Sequence, residues 1–112
     1  RPADLELHPL RGAVFETFIV SELRKLFWHN GERAPLFYWR DTAGHEVDVV
    51  VDLGTTRVPI EIKSGETIAS DAFKGLDYYA NLSGTKRGLL FYAGSESYPR
   101  RGHSLRSWFS GT

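Results

Sequence analysis

Cysteine is absent from the 112 residues, which removes disulfides, thiolate nucleophiles and cysteine-ligated zinc together and is compatible with the cytosol. An excess of either charge is missing too. Fourteen basic side chains against 14 acidic ones give a formal net charge of zero, so the field of the whole domain will not draw in a polyanion. Any nucleic-acid contact must come from a local patch or from a partner. No apolar run approaches membrane-spanning length and no signal peptide is recognisable, so a cytoplasmic protein without a membrane partner is expected. The chain lacks Gly-x-x-x-x-Gly-Lys-Ser/Thr, which excludes a nucleotide site of that kind. His8, His29, His45 and His103 show no metal-ligand spacing, and Ser21 and Ser64 have no His/Asp arrangement that supports nucleophilic catalysis. There is no internal repeat or low-complexity tract. What is present is ordinary for one globular domain: 41% hydrophobic and 25% charged residues. The chain opens at Arg1 without methionine, so it is expected to be a piece of a longer polypeptide.

Residues 1–12, with Pro2 and Pro9, read as an arm or linker, and 13–112 as a single domain. Over 13–29 no Gly or Pro intervenes, and Val14, Phe15, Phe18, Ile19, Leu23, Leu26 and Phe27 recur at helical spacing. Glu16 and Glu22 fall inside that apolar arc, and Asn30-Gly31 is expected to end the helix. Residues 36–40 form a short aromatic strand, 41–44 a turn, and 45–53 and 57–63 two strands of clean alternation. A helix is expected over 70–82, with Ala72, Phe73, Leu76, Tyr79 and Ala80 inward. Gly88 to Ala93 is a nearly continuous apolar run, typical of a buried strand after a crossover helix. Residues 95–102 read as polar loop and 104–109 as a last strand. The order is α-β-β-β-α-β: an α/β domain whose mixed sheet is antiparallel at the meander and parallel at the crossover.

The meander carries the most informative feature. Gly54-Thr55 suits a two-residue type II′ turn. Val51 then faces Val58, Val49 faces Ile60 and Val47 faces Ile62, an apolar face. On the other side Asp52 meets Arg57 and Glu46 meets Lys63. One pair offends: Asp48 lies opposite Glu61, a like-charge contact costing ~0.2–1 kcal/mol. Two carboxylates beside a lysine form a cradle for a hard divalent cation such as Mg²⁺. The plain alternative is an acidic sheet face relieved by Lys63 and solvent. A longer loop would instead set Asp48 against Lys63.

Asp48, twelve further residues, then Glu61-Ile62-Lys63 on the next strand resembles the PD-(D/E)xK phosphodiesterases of restriction-endonuclease-like fold. The α-β-β-β-α-β order matches that fold's core. Val47 stands where the motif's name has proline, a departure shared by many relatives. A narrower likeness rests on Gly12-Ala13-Val14-Phe15-Glu16, Glu22-Leu23-Arg24-Lys25, Trp39-Arg40-Asp41, Glu46-Val47-Asp48, Ile60-Glu61-Ile62-Lys63-Ser64-Gly65 and Leu90-Phe91-Tyr92. These resemble an uncharacterised domain at the C-terminal end of many prokaryotic AAA-type ATPases, where a P-loop ATPase and a winged-helix segment lie upstream.

The resemblance implies that Asp48 and Glu61 hold Mg²⁺ or Mn²⁺, with the Ile62 carbonyl and Glu16 completing the shell. Lys63 would orient water or stabilise the charged transition state of phosphodiester hydrolysis in DNA or RNA. It equally implies an alternative: a catalytically inactive module that binds protein or nucleic acid and regulates the linked ATPase. Each residue also has a structural reading. Glu16 can pair with an arginine, Glu22 with Arg24, Lys25 or Arg40, and Lys63 with Glu46. Lys86-Arg87, Arg100-Arg101 and Arg106 can be solvated loop charges as readily as phosphate contacts. Tyr78 and Tyr79 read as core and helix-surface residues rather than base-stacking platforms.

Overall fold

Alternation along the meander produces the central sheet, and a computed structural model describes it together with its flanking helices for residues 11–85 and 88–108. Helix α1 (Arg11–Leu26) is followed by the two-residue strands β1 (Trp28–His29) and β2 (Glu32–Arg33). The meander comprises β3 (Leu36–Arg40), β4 (Glu46–Asp52) and β5 (Arg57–Lys63). Helix α2 (Lys74–Ser83), β6 (Leu89–Tyr92), β7 (Tyr98–Arg100) and β8 (His103–Ser107) complete the chain. The main sheet has six strands in the order β3-β4-β5-β6-β8-β7. β3, β4 and β5 pair antiparallel, while β5 with β6 and β6 with β8 pair parallel. The expected mixed α/β sheet is therefore observed.

One helix covers each face. α1 buries Phe15, Ile19 and Leu23, spaced one turn apart, against Val49, Val51, Ile60, Ile62 and Phe91. Burial of side chains this size contributes roughly 1.5–3 kcal/mol each. Ala72 and Phe73, just ahead of α2, and Leu76 and Tyr79 within it form the other layer with Val47, Val50, Leu90 and Leu105. Val14 and Phe18 were expected inside the apolar arc of α1 but stay more than a third exposed, because the arc is wider than the sheet surface it covers. No helix among the described residues is long and apolar enough to cross a membrane.

Several expected element bounds are corrected, among them α2, which starts at Lys74 rather than 70 and ends at Ser83. α1 starts at Arg11 and stops at Leu26 rather than running to His29. Asn30-Gly31 does not cap it; with φ of +53° and +80° the two residues form the turn between β1 and β2, where Trp28 pairs with Arg33. Positive φ at both central positions is the type I′ pattern that Asn-Gly favours in hairpins. The 95–102 loop contains a strand, β7, antiparallel to β8. The expected arm at 1–12 lies outside the described residues up to Leu10, and its last two residues belong to α1.

The Gly54-Thr55 turn agrees with expectation. Leu53 N–H donates to the Thr56 carbonyl at 2.9 Å, and of the two central residues Gly54 alone has positive φ (+90°), as type II′ requires. The paired register runs from Asp52↔Arg57 to Val49↔Ile60, as expected. Then it stops. Between Phe37 and Trp39, two residues apart, β4 advances three, from Val50 to Val47, so β4 carries one extra residue. This bulge overturns the expected single apolar face: Val49 and Val51 point to the α1 layer, whereas Val47 joins Val50 in the α2 layer. The pairs Val47–Ile62 and Glu46–Lys63 do not form.

Candidate functional site

The bulge places Asp48 where β4 and β5 separate. With the ladder interrupted, backbone donors on both strands need other acceptors, and two side chains supply them. Asp48 N–H donates to Glu61 Oε1 at 3.2 Å, and Ile62 N–H donates to Asp48 Oδ2 at 2.9 Å. The acids are thus not a ladder pair, as expected from the alternation, but neighbours that each bond the other strand's backbone.

Glu61 is 7% exposed, an uncommon position for a charged side chain. Burial first, and then the Asp48 carboxylate, push the Glu61 carboxyl up to about 8, while the Lys63 ammonium pulls it down. Lys63 Nζ lies 3.7 Å from Glu61 Oε2 and not on Glu46, which accepts instead from the Tyr38 hydroxyl at 2.7 Å. Glu61, Asp48 and Lys63 are therefore brought together.

Glu16 stands apart from Glu61. It lies on α1, which covers the Ile60 and Ile62 face, whereas Glu61 and Lys63 open on the α2 side. Its carboxyl is raised by partial burial and then by Asp48. Asp48, in the gap between strands, is the acid that influences both of the others. Among the described residues no three acid or histidine side chains form a group that could hold a metal ion. The donor set that exists is the pair Asp48 and Glu61, one of them buried, whose charge a proton or a cation must offset. A hard divalent ion needs only one or two carboxylates when water and phosphate fill its remaining positions, so the pair fits such an ion. The Ile62 N–H points toward Asp48, and in an extended strand the carbonyl of the same residue faces the same neighbour.

Glu61, of the two acids, borders a cleft of about 310 Å³ between the start of β4, the end of β5 and the start of α2. Glu61 and Lys63 line it together with His45, Glu46, Asp71 and Lys74. Sequence reasoning missed the last two and gave His45 no role. No spacing signal marks Asp71 or Lys74, because they arrive from the crossover connection. His45 sits three residues before Asp48, with Asp41 a short turn away, and that Asp-His proximity was legible. Glu22 pairs with Lys25 at 3.0 Å, one of its expected structural partners. Arg101 lies 3.7 Å from Asp77, Arg100 stacks over Phe73, and Arg106 is exposed. Lys86 and Arg87 lie outside the described residues. Tyr79 is buried edge-on to Trp39, and Tyr78 is half-buried against His45, as core and helix-surface residues.

Residues 11–108 match the family described as "Domain of unknown function (DUF4143)", and the chain belongs to that family. No curated protein and no solved structure matches it.

Proposed function

We propose that this member of the DUF4143 family is a metal-dependent phosphodiesterase domain of PD-(D/E)xK, restriction-endonuclease-like type, acting on nucleic acid within a longer ATPase polypeptide. One observation carries the reading. Two acids meet at a bulge in the sheet, and one of them, Glu61, is buried beside a lysine with which it lines a polar cleft. Bulges that interrupt pairing and re-aim side chains are over-represented beside active sites. The resemblance in motif spacing supports the reaction class and a role for Mg²⁺ or Mn²⁺, and the narrower likeness supports the upstream ATPase and winged-helix segments.

Asp48 and Glu61 would hold the ion, with Glu16 acting from the far side through Asp48 rather than beside Glu61. A divalent ion there would screen the phosphate's charge and make a water molecule more acidic. The Lys63 ammonium, next to Glu61, would hold a phosphate oxygen and stabilise charge that builds during hydrolysis. Zero net charge leaves substrate attraction to local groups, of which Lys63 and Lys74 line the cleft. Full-length protein should nick plasmid DNA or cleave RNA with Mg²⁺ or Mn²⁺. Asp48→Asn and Lys63→Ala should abolish cleavage. Absence of cleavage with every metal and both nucleic acids overturns the reading.

A second reading has its own observation. The reciprocal bonds between each acid and the other strand's backbone satisfy donors that the bulge orphaned, which is a structural use for both side chains. On that reading the domain is an inactive binding or regulatory module of the linked ATPase. Asp48→Asn, which keeps an acceptor for Ile62 N–H, would then leave cellular function intact.

A further inference from the structure

His45 has no part in the carboxylate pair. Its ring stacks on Tyr78 of α2, with centroids 3.6 Å apart and planes 13° from parallel. Asp41 holds one nitrogen: Oδ2 lies 2.9 Å from Nδ1. The other carboxylate oxygen accepts the backbone N–H groups of Ala43 at 3.0 Å and His45 at 2.8 Å, so the acid is itself fixed by its turn. Burial pushes the Asp41 carboxyl up, but bonds from the His45 backbone and ring and from the Tyr78 hydroxyl outweigh it and hold the group below its ordinary value. An ionised carboxylate only accepts, so Nδ1 carries the hydrogen and Nε2 of the neutral ring carries a lone pair.

That Nε2 has no partner among the described residues. The side chain is 34% exposed and lines the same cleft as Glu61 and Lys63. His103 provides the contrast. Its Nδ1 accepts from Gly88 N–H at 2.9 Å, its Nε2 meets Asp77 at 2.7 Å, and it is 4% exposed. One histidine is locked at both nitrogens inside the fold. The other is held at one nitrogen and open at the second.

We propose that His45 is a further catalytic residue of the hydrolytic site, its Nε2 taking the proton from the water that attacks a nucleic-acid phosphodiester seated in the cleft. The inference rests on the hydrolytic reading above. The water oxygen bonds to phosphorus as its proton passes to Nε2. The phosphorus–oxygen bond to the departing sugar breaks, and that oxygen takes a proton from solvent. The imidazolium, stabilised by Asp41, then returns its proton to solvent. Facing His45 are Asp41 from its own turn and Tyr78 from α2. The same cleft is lined by Glu46, next to His45 in the chain, and by Glu61, Lys63, Asp71 and Lys74.

The test compares metal-dependent cleavage by full-length wild type, His45→Gln, His45→Phe and Asp48→Asn across pH. His45→Phe keeps a ring for the Tyr78 stack and has no nitrogen. Both His45 variants should lose roughly 10²-fold or more in kcat, with KM little changed, and should lose the rising limb that an imidazole base gives the wild-type profile. If either cleaves like wild type with the same profile while Asp48→Asn is inactive, the His45 assignment falls alone. If Asp48→Asn cleaves normally, or wild type does not cleave, the hydrolytic reading falls and takes this one with it. Nitrogen-15 spectra of the folded wild type supply a readout independent of turnover: hydrogen on Nδ1 of His45 is expected, and hydrogen on Nε2 alone overturns the proposal.

Discussion

Asp48 and Glu61 bind each other's strands: the backbone of Asp48 donates to the side chain of Glu61, and the side chain of Asp48 accepts from the residue after Glu61. The relationship is reciprocal but unequal. Asp48 is half-buried, whereas Glu61 is almost wholly enclosed and carries the raised carboxyl. Removing either side chain therefore has a different consequence.

Glu61 makes stability depend on pH. Its carboxyl sits at about 8 in the folded chain against 4.5 for the free group, so the folded state holds a proton that the unfolded state releases. The contribution is fully present below pH 4.5 and is lost as pH rises through about 8. Glu61→Gln should flatten that fall and exceed wild type at pH 8.5 by roughly 1–3 kcal/mol, as urea unfolding at several pH values will show. In the metal-binding reading, millimolar Mg²⁺ at pH 8.5 raises the wild-type midpoint and leaves that of Glu61→Gln unmoved.

Asp48→Ala and Asp48→Asn should part company. Alanine leaves Ile62 N–H without its acceptor inside the sheet, a loss of about 1–3 kcal/mol. Asparagine keeps an oxygen for that N–H and removes the repulsion with Glu61, so it should unfold at or above the wild-type midpoint. Equal stability for the two variants would show that the Ile62 bond carries no weight.

Gly75 tests how closely α2 sits on the bulge. Alanine is ordinarily favoured over glycine inside a helix by about 1 kcal/mol. A Cβ here, however, would fall 2.4 Å from the Glu46 carbonyl oxygen and 3.6 Å from Glu61 Oε1. Backbone cannot yield as a flexible side chain can, so the clash wins. Gly75→Ala should destabilise by roughly 1–3 kcal/mol in denaturant unfolding and should shift the amide spectrum around Glu46 and Glu61.

His103→Ala should cost roughly 2–4 kcal/mol, since it opens a cavity beside Phe73, strips Gly88 N–H of its acceptor and leaves Asp77 only the longer contact with Arg101. The equivalent change at His45 should cost less than 1–2 kcal/mol, about the value of one ring stack and one hydrogen bond at a half-exposed position. Thermal denaturation of the two variants side by side decides it. A larger loss at His45 would make that residue the structural one.

Local pattern reached far into this fold. The Gly54 turn specified the hairpin because few two-residue turns match strand twist, and from it followed the register of Val49 with Ile60 and Asp52 with Arg57. The run from Gly88 to Ala93 declared a buried parallel strand because a segment covered on both faces has no polar side to show. Asn30-Gly31 misled because the same dipeptide serves a helix end and a hairpin turn, and the choice depended on Trp28 and Arg33 meeting across it. Strand β7 went unseen since its partner, β8, is the last strand described and its own three residues are polar or exposed.

Period and turn chemistry, which are properties of neighbouring residues, were enough for the sequence to settle the α/β class, the two core-forming helices and the adjacency of Asp48 and Glu61. The tertiary structure alone decided where β4 takes up its extra residue, and with it which layer Val47 enters, on which side Glu16 stays and which crossover residues reach the cleft. An extra residue turns the side chains beyond it to the opposite face, so the layer each one enters follows from pairing with strands distant in the chain, which the local order of residues does not record.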